Sequence, residues 1–294
     1  MRSVVFSRIP CYILNMDDVI LPPTDDWIFK LLFGDERNKS VLIDLLQSFV
    51  ELPKEEYELT FLDTYLKPEF EEDKLGILDI KVRTKSGKIL NIEIQVNPSK
   101  NIGKRISFYK SKMIVEQIAK SEHYNVIQKV ICICITSYDL FIGGKDYLNS
   151  FRFVNLKNNL CFEDIPEEIY TLELPKVPAM SDGTASWNWM QFLRAKRKEE
   201  FEMVAVQNPE IRKATNTLYE LSADEKVRAE YEMRQKAIRD RAWIIDEAKE
   251  YAKAEGKAEG KAEGKAEERQ YILDLMNQGV SVEEIKQFLK NGKL

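Results

Sequence analysis

Histidine is nearly missing: the 294 residues contain one, His123. Cysteine is scarce as well, at Cys11, Cys132, Cys134 and Cys161, and none of the four has zinc-finger spacing. Cys132 and Cys134 fall inside the run VICICIT, where both sulfurs face one side of a buried strand and read as small apolar residues. That usage suits a reducing, cytoplasmic setting. No apolar run reaches about 18 residues, so no membrane span is expected. The first twenty residues lack a signal-peptide layout and include Asp17-Asp18. Positive charge is also not in excess: 44 Lys and Arg stand against 49 Asp and Glu, for a net charge of −5. Any nucleic-acid binding would need a local positive potential.

What is present is a soluble globular composition, 44% hydrophobic and 32% charged, long enough for one good-sized core plus an appendage. The most informative stretch is Leu75 to Val96, LGILDIKVRTKSGKILNIEIQV. Leu75–Thr84 and Lys88–Val96 alternate as strands do. Lys85-Ser86-Gly87 suits a three-residue hairpin with Gly87 in the left-handed region. In that register Thr84 faces Lys88, and counting back sets Asp79 opposite Glu93. Opposed side chains share a face at roughly 4.5–5.5 Å between Cβ atoms. Asn91, Glu93 and Gln95 project to one side, and Leu90, Ile92, Ile94 and Val96 to the other. Two facing carboxylates repel unless a positive charge joins them. A hard divalent cation is one answer; a half-exposed hairpin whose polar face meets water is the other.

The remaining pattern gives an order of elements. Pro22-Pro23 ends an irregular lead-in, and Thr24 or Asp25 caps a first helix closed by Gly34. A second helix spans Asn38 to Phe49, with Val41, Leu42, Leu45 and Leu46 on its core stripe. Leu59–Leu62 suggests a first strand, and Glu71-Glu72-Asp73 a solvated turn. After the hairpin, a helix from about Ile102 to Ser121 carries two apolar stripes and reads as sandwiched within the fold. Seven basic residues lie between Lys100 and Lys129 against two acids, the most basic stretch of its length in the first domain. Lys129–Thr136 reads as a strand buried on both faces. The sum is an α/β fold with an αβββαβ core, a mixed sheet flanked by helices. Ile169–Leu174 looks like one more strand, and Tyr138–Val177 is otherwise hard to read.

From Ser186 the chain turns helical. Asn208-Pro209 is a cap followed by Pro, and Ser222 with Glu225 has capping-box spacing. The Lys-Ala-Glu-Gly repeats of Lys253–Glu267 read as a frayed helix or semi-flexible spacer without an apolar seam. Gly279 stops a helix, and Ser281 with Glu284 opens a last one carrying Ile285, Phe288 and Leu289. The expected division is 1–180 for the sheet domain, 186–252 for a helical extension, 253–268 for the spacer and 269–294 for a small helical hairpin.

Four segments in this order carry a family resemblance: Thr24–Gly34 (TDDWIFKLLFG), Asp79 followed by Glu93-Ile94-Gln95, Arg105–Leu140, and the GKAEGKAEGKAE tail. Together they resemble the Rpn-type recombination-promoting nucleases, transposase-like members of the PD-(D/E)xK nuclease superfamily, over most of the chain. The resemblance implies a restriction-endonuclease-like fold with a helical C-terminal extension, and a metal-dependent DNA endonuclease linked to recombination or transposition. Asp79, Glu93 and the Ile94 carbonyl would hold Mg²⁺ or Mn²⁺. Gln95 stands where the superfamily has Lys, and keeps a hydrogen-bond donor but loses the charge. Asp26 is carried over as an acid from the first helix. Lys30, Arg105, Lys110 and Lys112 are the expected contacts to the DNA phosphate backbone. Two alternatives stand beside it: a catalytically weak or inactive nuclease-fold protein that binds nucleic acid, and a helix-mediated interaction protein that self-associates through its C-terminal helices.

Overall fold

The computed structural model describes residues 19–66, 76–277, 279–281 and 284–287. Cys11 and Asp17-Asp18, Leu75 with the Glu71-Glu72-Asp73 turn, and Phe288-Leu289 lie outside the described residues. The chain divides into two compact units, Met1–Arg228 and Ala229–Leu294.

The first unit opens with helix α1 (Asp26–Phe33). The Asp25 carboxylate accepts the amides of Trp27 and Ile28, satisfying donors that the first turn leaves open. Ile28, Phe29, Leu32 and Phe33 are buried. Helix α2 (Lys39–Gln47) buries Val41, Leu42, Leu45 and Leu46, the stripe its spacing predicts. Strands β1 (Thr60–Phe61), β2 (Tyr65–Leu66) and β3 (Gly76–Ile77) are short. Then come β4 (Ile80–Arg83), β5 (Ile89–Gln95), helix α3 (Ile102–Val115), β6 (Val130–Thr136), β7 (Leu148–Phe151) and β8 (Glu167–Glu173).

Six strands form one mixed sheet in the order β1-β4-β5-β6-β8-β7. The β4–β5 hairpin is antiparallel, β5–β6 and β6–β8 are parallel, and β7 returns antiparallel on the edge. The turn is as expected: Gly87 has φ +96°, and its amide donates to the Thr84 carbonyl at 3.0 Å. The Glu56 carboxylate clamps it, accepting the hydroxyls of Ser86 at 2.6 Å and Thr84 at 2.8 Å. The Ser86 hydroxyl is the chief reason the Glu56 pKa is drawn down to about 2. The long first strand of the hairpin is interrupted, however. β3 pairs with β2 in a separate two-stranded sheet, and the chain bends at Asp79 before β4 begins. β6 is buried along its whole length, as its unbroken apolar run requires.

Helix α3 is shorter than its pattern suggests, ending at Val115. It covers one face of the sheet, setting Tyr109 and Met113 against Ile89, Val130 and Cys132. The other apolar stripe, through Phe108 and Val115, is not covered: both residues are exposed. α3 is therefore an outer layer and not a sandwiched helix. α1 packs against β5, on the side of Leu90, Ile92 and Ile94.

Three further helices complete this unit: α4 (Ala185–Arg194), α5 (Lys198–Ala205) and α6 (Pro209–Ala223). Trp189 of α4 stacks edge-on against Phe33 of α1 at 5.8 Å. Its indole N–H donates to Asp44 of α2 at 2.8 Å, and the Asn208 side-chain amide donates to the same carboxylate at 2.6 Å. Asn208 also caps α6, with Pro209 in the first position. Ser222 does not cap the next helix. Its hydroxyl donates to the Leu218 carbonyl and accepts the Leu21 amide at 2.9 Å, while Asp224 takes the amides of Lys226 and Val227.

Helix α7 (Glu225–Asn277) continues unbroken through the Lys-Ala-Glu-Gly repeats, where a frayed spacer is the sequence expectation. Its last turn is closed by Gly279 at φ +83°, and the Ser281–Glu284 capping box forms as its spacing indicates. Among the described residues, no helix is long and apolar enough to cross a membrane.

Candidate active site

The site lies where β4 begins and β5 runs on past it. Asp79 sits in the bend just before Ile80, and the pairing of Ile80 with Ile92 extends by one step to set Asp79 opposite Glu93. The two residues are joined through backbone as well as position. The Asp79 amide donates to Glu93 Oε1 at 3.3 Å, and the Ile94 amide donates to Asp79 Oδ2 at 2.9 Å. Since the ladder to β4 has stopped, the Ile94 amide takes a carboxylate in place of a strand partner. In a strand the C=O points the same way as the N–H of its residue, so the Ile94 carbonyl faces the Asp79 edge too.

Both carboxylates are buried, with 9% and 7% of their side chains exposed. Burial is the main cause of a raised Asp79 pKa, opposed by the Ile94 amide and Lys30. Burial again leads for Glu93, with the Asp79 charge adding to it and Arg105 opposing, so that its pKa is pushed up to about 7. Each acid has its own cation. Lys30 Nζ, from the last turn of α1, lies 3.1 Å from Asp79 Oδ1. Arg105, from the first turns of α3, lies 3.2 Å from Glu93 Oε2 and stacks over the Tyr109 ring at 5.3 Å.

Gln95 donates its side-chain amide to Glu93 Oε2 at 3.4 Å, and Asn91 donates to Oε1 at 3.4 Å. Glu93 thus collects donors from one turn of helix and from both strand neighbours on its own face. A niche of about 10 Å³ opens beside it, lined by Asn91, Glu93, Gln95, Arg105 and Cys134. That is room for one water-sized sphere. The parallel register explains the sulfurs: Glu93 stands beside Cys134 and Asn91 beside Cys132 on the α3-covered face. Burial pushes both thiols up to about 12, so they act as apolar filling.

Of the residues singled out from sequence, Lys30, Asp79, Glu93, Ile94, Gln95 and Arg105 converge. Asp26 is exposed and reaches the cluster through its field alone, raising the Asp79 proton affinity. Lys110 and Lys112 are placed elsewhere. Lys110 is buried and ion-paired with Glu167, at the opposite end of the parallel strands. Lys112 Nζ lies over the Phe108 ring at 5.3 Å. Asn91 belongs to the site without having been singled out; its place two residues before Glu93 on the same face was the available signal. Tyr138 was missed, since nothing in its local sequence marks it. It follows Ser137, whose amide donates to the Gln95 carbonyl at 3.0 Å, and among the described residues its buried hydroxyl has no hydrogen-bond partner.

Among the described residues, no group of three or more His, Cys, Asp and Glu side chains could hold a metal ion. The set on this edge is smaller: two carboxylates with a backbone carbonyl beside them. No curated protein and no solved structure matches the chain. The comparison with protein families does find a match, over residues 23–248, which takes in every residue of the cluster just described. The model that matches is that of the PD-(D/E)XK nuclease family transposases, and the chain belongs to that family, a nuclease-fold protein linked to transposition.

Proposed function

We propose that this protein is a divalent-metal-dependent endodeoxyribonuclease that hydrolyses phosphodiester bonds in recombination or transposition. The observation that carries the reading is the Asp79–Glu93 pair. Two buried carboxylates share one face at the end of a strand ladder, and both have raised proton affinity. Such a pair is unstable as two bare charges and gains most from a cation between its oxygens. The donor set is hard oxygen throughout, which suits Mg²⁺ or Mn²⁺. Asp79, Glu93 and the Ile94 carbonyl would hold the ion. Bound there, it would supply a Lewis acid for the phosphate and an activated water.

The chain's own groups divide the remaining work. Lys30 and Arg105 are part-exposed, at 33% and 43%, and set two positive charges at the rim where a phosphate must approach. Both neutralise the carboxylates until a cation takes that role. Gln95 offers an uncharged N–H donor and acceptor, enough to orient a water. Burial and the Asp79 charge raise the proton affinity of Glu93 in the metal-free site, so an incoming cation would compete with a proton for its Oε atoms. Asp26 strengthens the local negative field. Lys110, tied to Glu167, contributes to the fold of the sheet and not to a phosphate contact.

Plasmid nicking by the purified chain with Mg²⁺, with Mn²⁺ and with EDTA, beside Glu93→Ala, tests this. Nicking that requires metal and falls at least about a hundredfold in the variant is the expected result. DNA binding without nicking under either metal would replace it with the reading of a nuclease fold kept for binding. Neither nicking nor binding would leave self-association through the C-terminal helices as the function to pursue.

A further inference from the structure

Four of the five residues Arg194-Ala195-Lys196-Arg197-Lys198 are cationic, in a chain whose net charge is −5. They occupy the junction of α4 and α5, far along the sequence from the carboxylates. The fold nevertheless brings them to the same end of the sheet. A groove of about 310 Å³ is lined by Thr24, Ser137, Arg194 and Lys196. Ser137 is the residue whose amide is bonded to the Gln95 carbonyl, and Thr24 stands two residues before Asp26. A second groove of about 570 Å³ begins at Lys196 and is lined by Arg197, Lys198, Glu199 and Tyr219. The two grooves share Lys196 and so adjoin one another.

The charges along these grooves are unevenly committed. Arg194 donates to the Val177 carbonyl, and Arg197 pairs with Glu200 while its own side chain remains largely in solvent. Lys198 Nζ lies over the Tyr219 ring at 5.9 Å. Lys196 has no side-chain hydrogen bond or ion pair among the described residues. Against these four cations the linings hold one acid, Glu199; Glu200, paired with Arg197, and Glu202, which accepts the Tyr219 hydroxyl, stand beside them. A line of cations with aromatic backing, open to solvent and set at the same end of the sheet as the carboxylates, matches a polyanion with regularly spaced charges.

We propose that Lys196, Arg197 and Lys198 form a track for the nucleic-acid backbone, carrying the strand on from the Asp79–Glu93 site. This rests on the nuclease reading and adds to it the route of the substrate. The cations contribute sequence-independent phosphate contacts, each worth about 0.9 in the slope of log K against log salt concentration.

The test is DNA binding at several salt concentrations in a Glu93→Gln background, which separates binding from cleavage. The triple variant Lys196→Gln, Arg197→Gln, Lys198→Gln is expected to lower the slope by about 2 to 3 and to weaken binding about tenfold or more near 0.1 M salt. Lys196→Gln alone, which disturbs no internal contact, is expected to lower the slope by about 1. Lys249→Gln on α7 is the charge control and is expected to leave the slope unchanged. With Glu93 intact, the triple variant should raise KM for nicking and leave kcat at saturating DNA close to that of the unsubstituted chain. Binding and slope unchanged in both track variants, with the parent binding normally, would overturn the track and leave the nuclease reading standing. A parent that binds no DNA at any salt concentration would overturn both.

Discussion

Asp79 and Glu93 are each held by the other's strand: one gives its amide, the other accepts it, and Ile94 closes the exchange. Removing a partner therefore leaves a buried group unpaired, and the cost exceeds that of a surface pair. The titration of Glu93 has a definite consequence for stability. Its pKa rises from the model-peptide value of 4.5 to about 7 in the fold. Between those values the native state binds more protons than the unfolded one, so stability falls as pH increases. The slope is at most about 1.4 kcal/mol per pH unit. Urea unfolding of metal-free protein between pH 5 and 8 should show wild type losing stability relative to Glu93→Gln as pH rises. A parallel pair of curves would contradict the burial argument. Gln95→Lys sets a cation beside Glu93 Oε2, where the Gln95 amide now lies at 3.4 Å. An opposite charge at that range lowers a carboxyl pKa by about 1 unit or more. The acid limb of the pH–rate profile for nicking should shift down by that amount.

At the scale of elements, the hairpin was legible because a single turn determines its register. Gly87 at φ +96° permits the three-residue turn, and the turn then dictates that Asp79 meets Glu93. A Cβ at Gly87 would be strained by φ and would approach Gln128 Cγ at 3.1 Å. Gly87→Ala should cost about 1–2 kcal/mol, read as a lower urea midpoint with unchanged m. The break at Asp79 was not legible, since apolar alternation continues across Leu78 and Ile80 while the backbone bends. The exposure of the α3 stripe through Phe108 and Val115 was likewise hidden: periodicity shows which residues share a face, not whether a layer covers that face. Edge strand β7, LNSF, has too little apolar content to announce itself. Nor could local sequence show that Asp44 would receive both Trp189 and Asn208, residues more than 140 positions away. Asp44→Ala unsatisfies two part-buried donors at the joint of α2, α4 and α6, and should destabilise the fold by about 1–3 kcal/mol, measured by thermal or urea unfolding.

At the scale of the molecule, the family match ends at residue 248 and the compact first unit at Arg228. A chain stopped after Ala252 keeps both, and with them every residue of the carboxylate cluster. It should retain metal-dependent nicking at a rate within about threefold of the full chain, while its helical circular dichroism falls. Loss of nicking on that truncation would assign the remainder of α7 a role in the reaction.

The bond from the Leu21 amide to the Ser222 hydroxyl joins residues 201 positions apart. It seats the segment just before α1, the helix that delivers Lys30, on a helix made near the end of the first unit. At synthesis rates of about 5–20 residues per second, roughly 10–40 s pass between the appearance of Leu21 and of Ser222. Through that interval the β4–β5 hairpin exists with its two acids, but α1 has no α4 or α6 to rest on. The support of α1, which holds Lys30 beside Asp79, is thus completed only once the last helices of the first unit have been made.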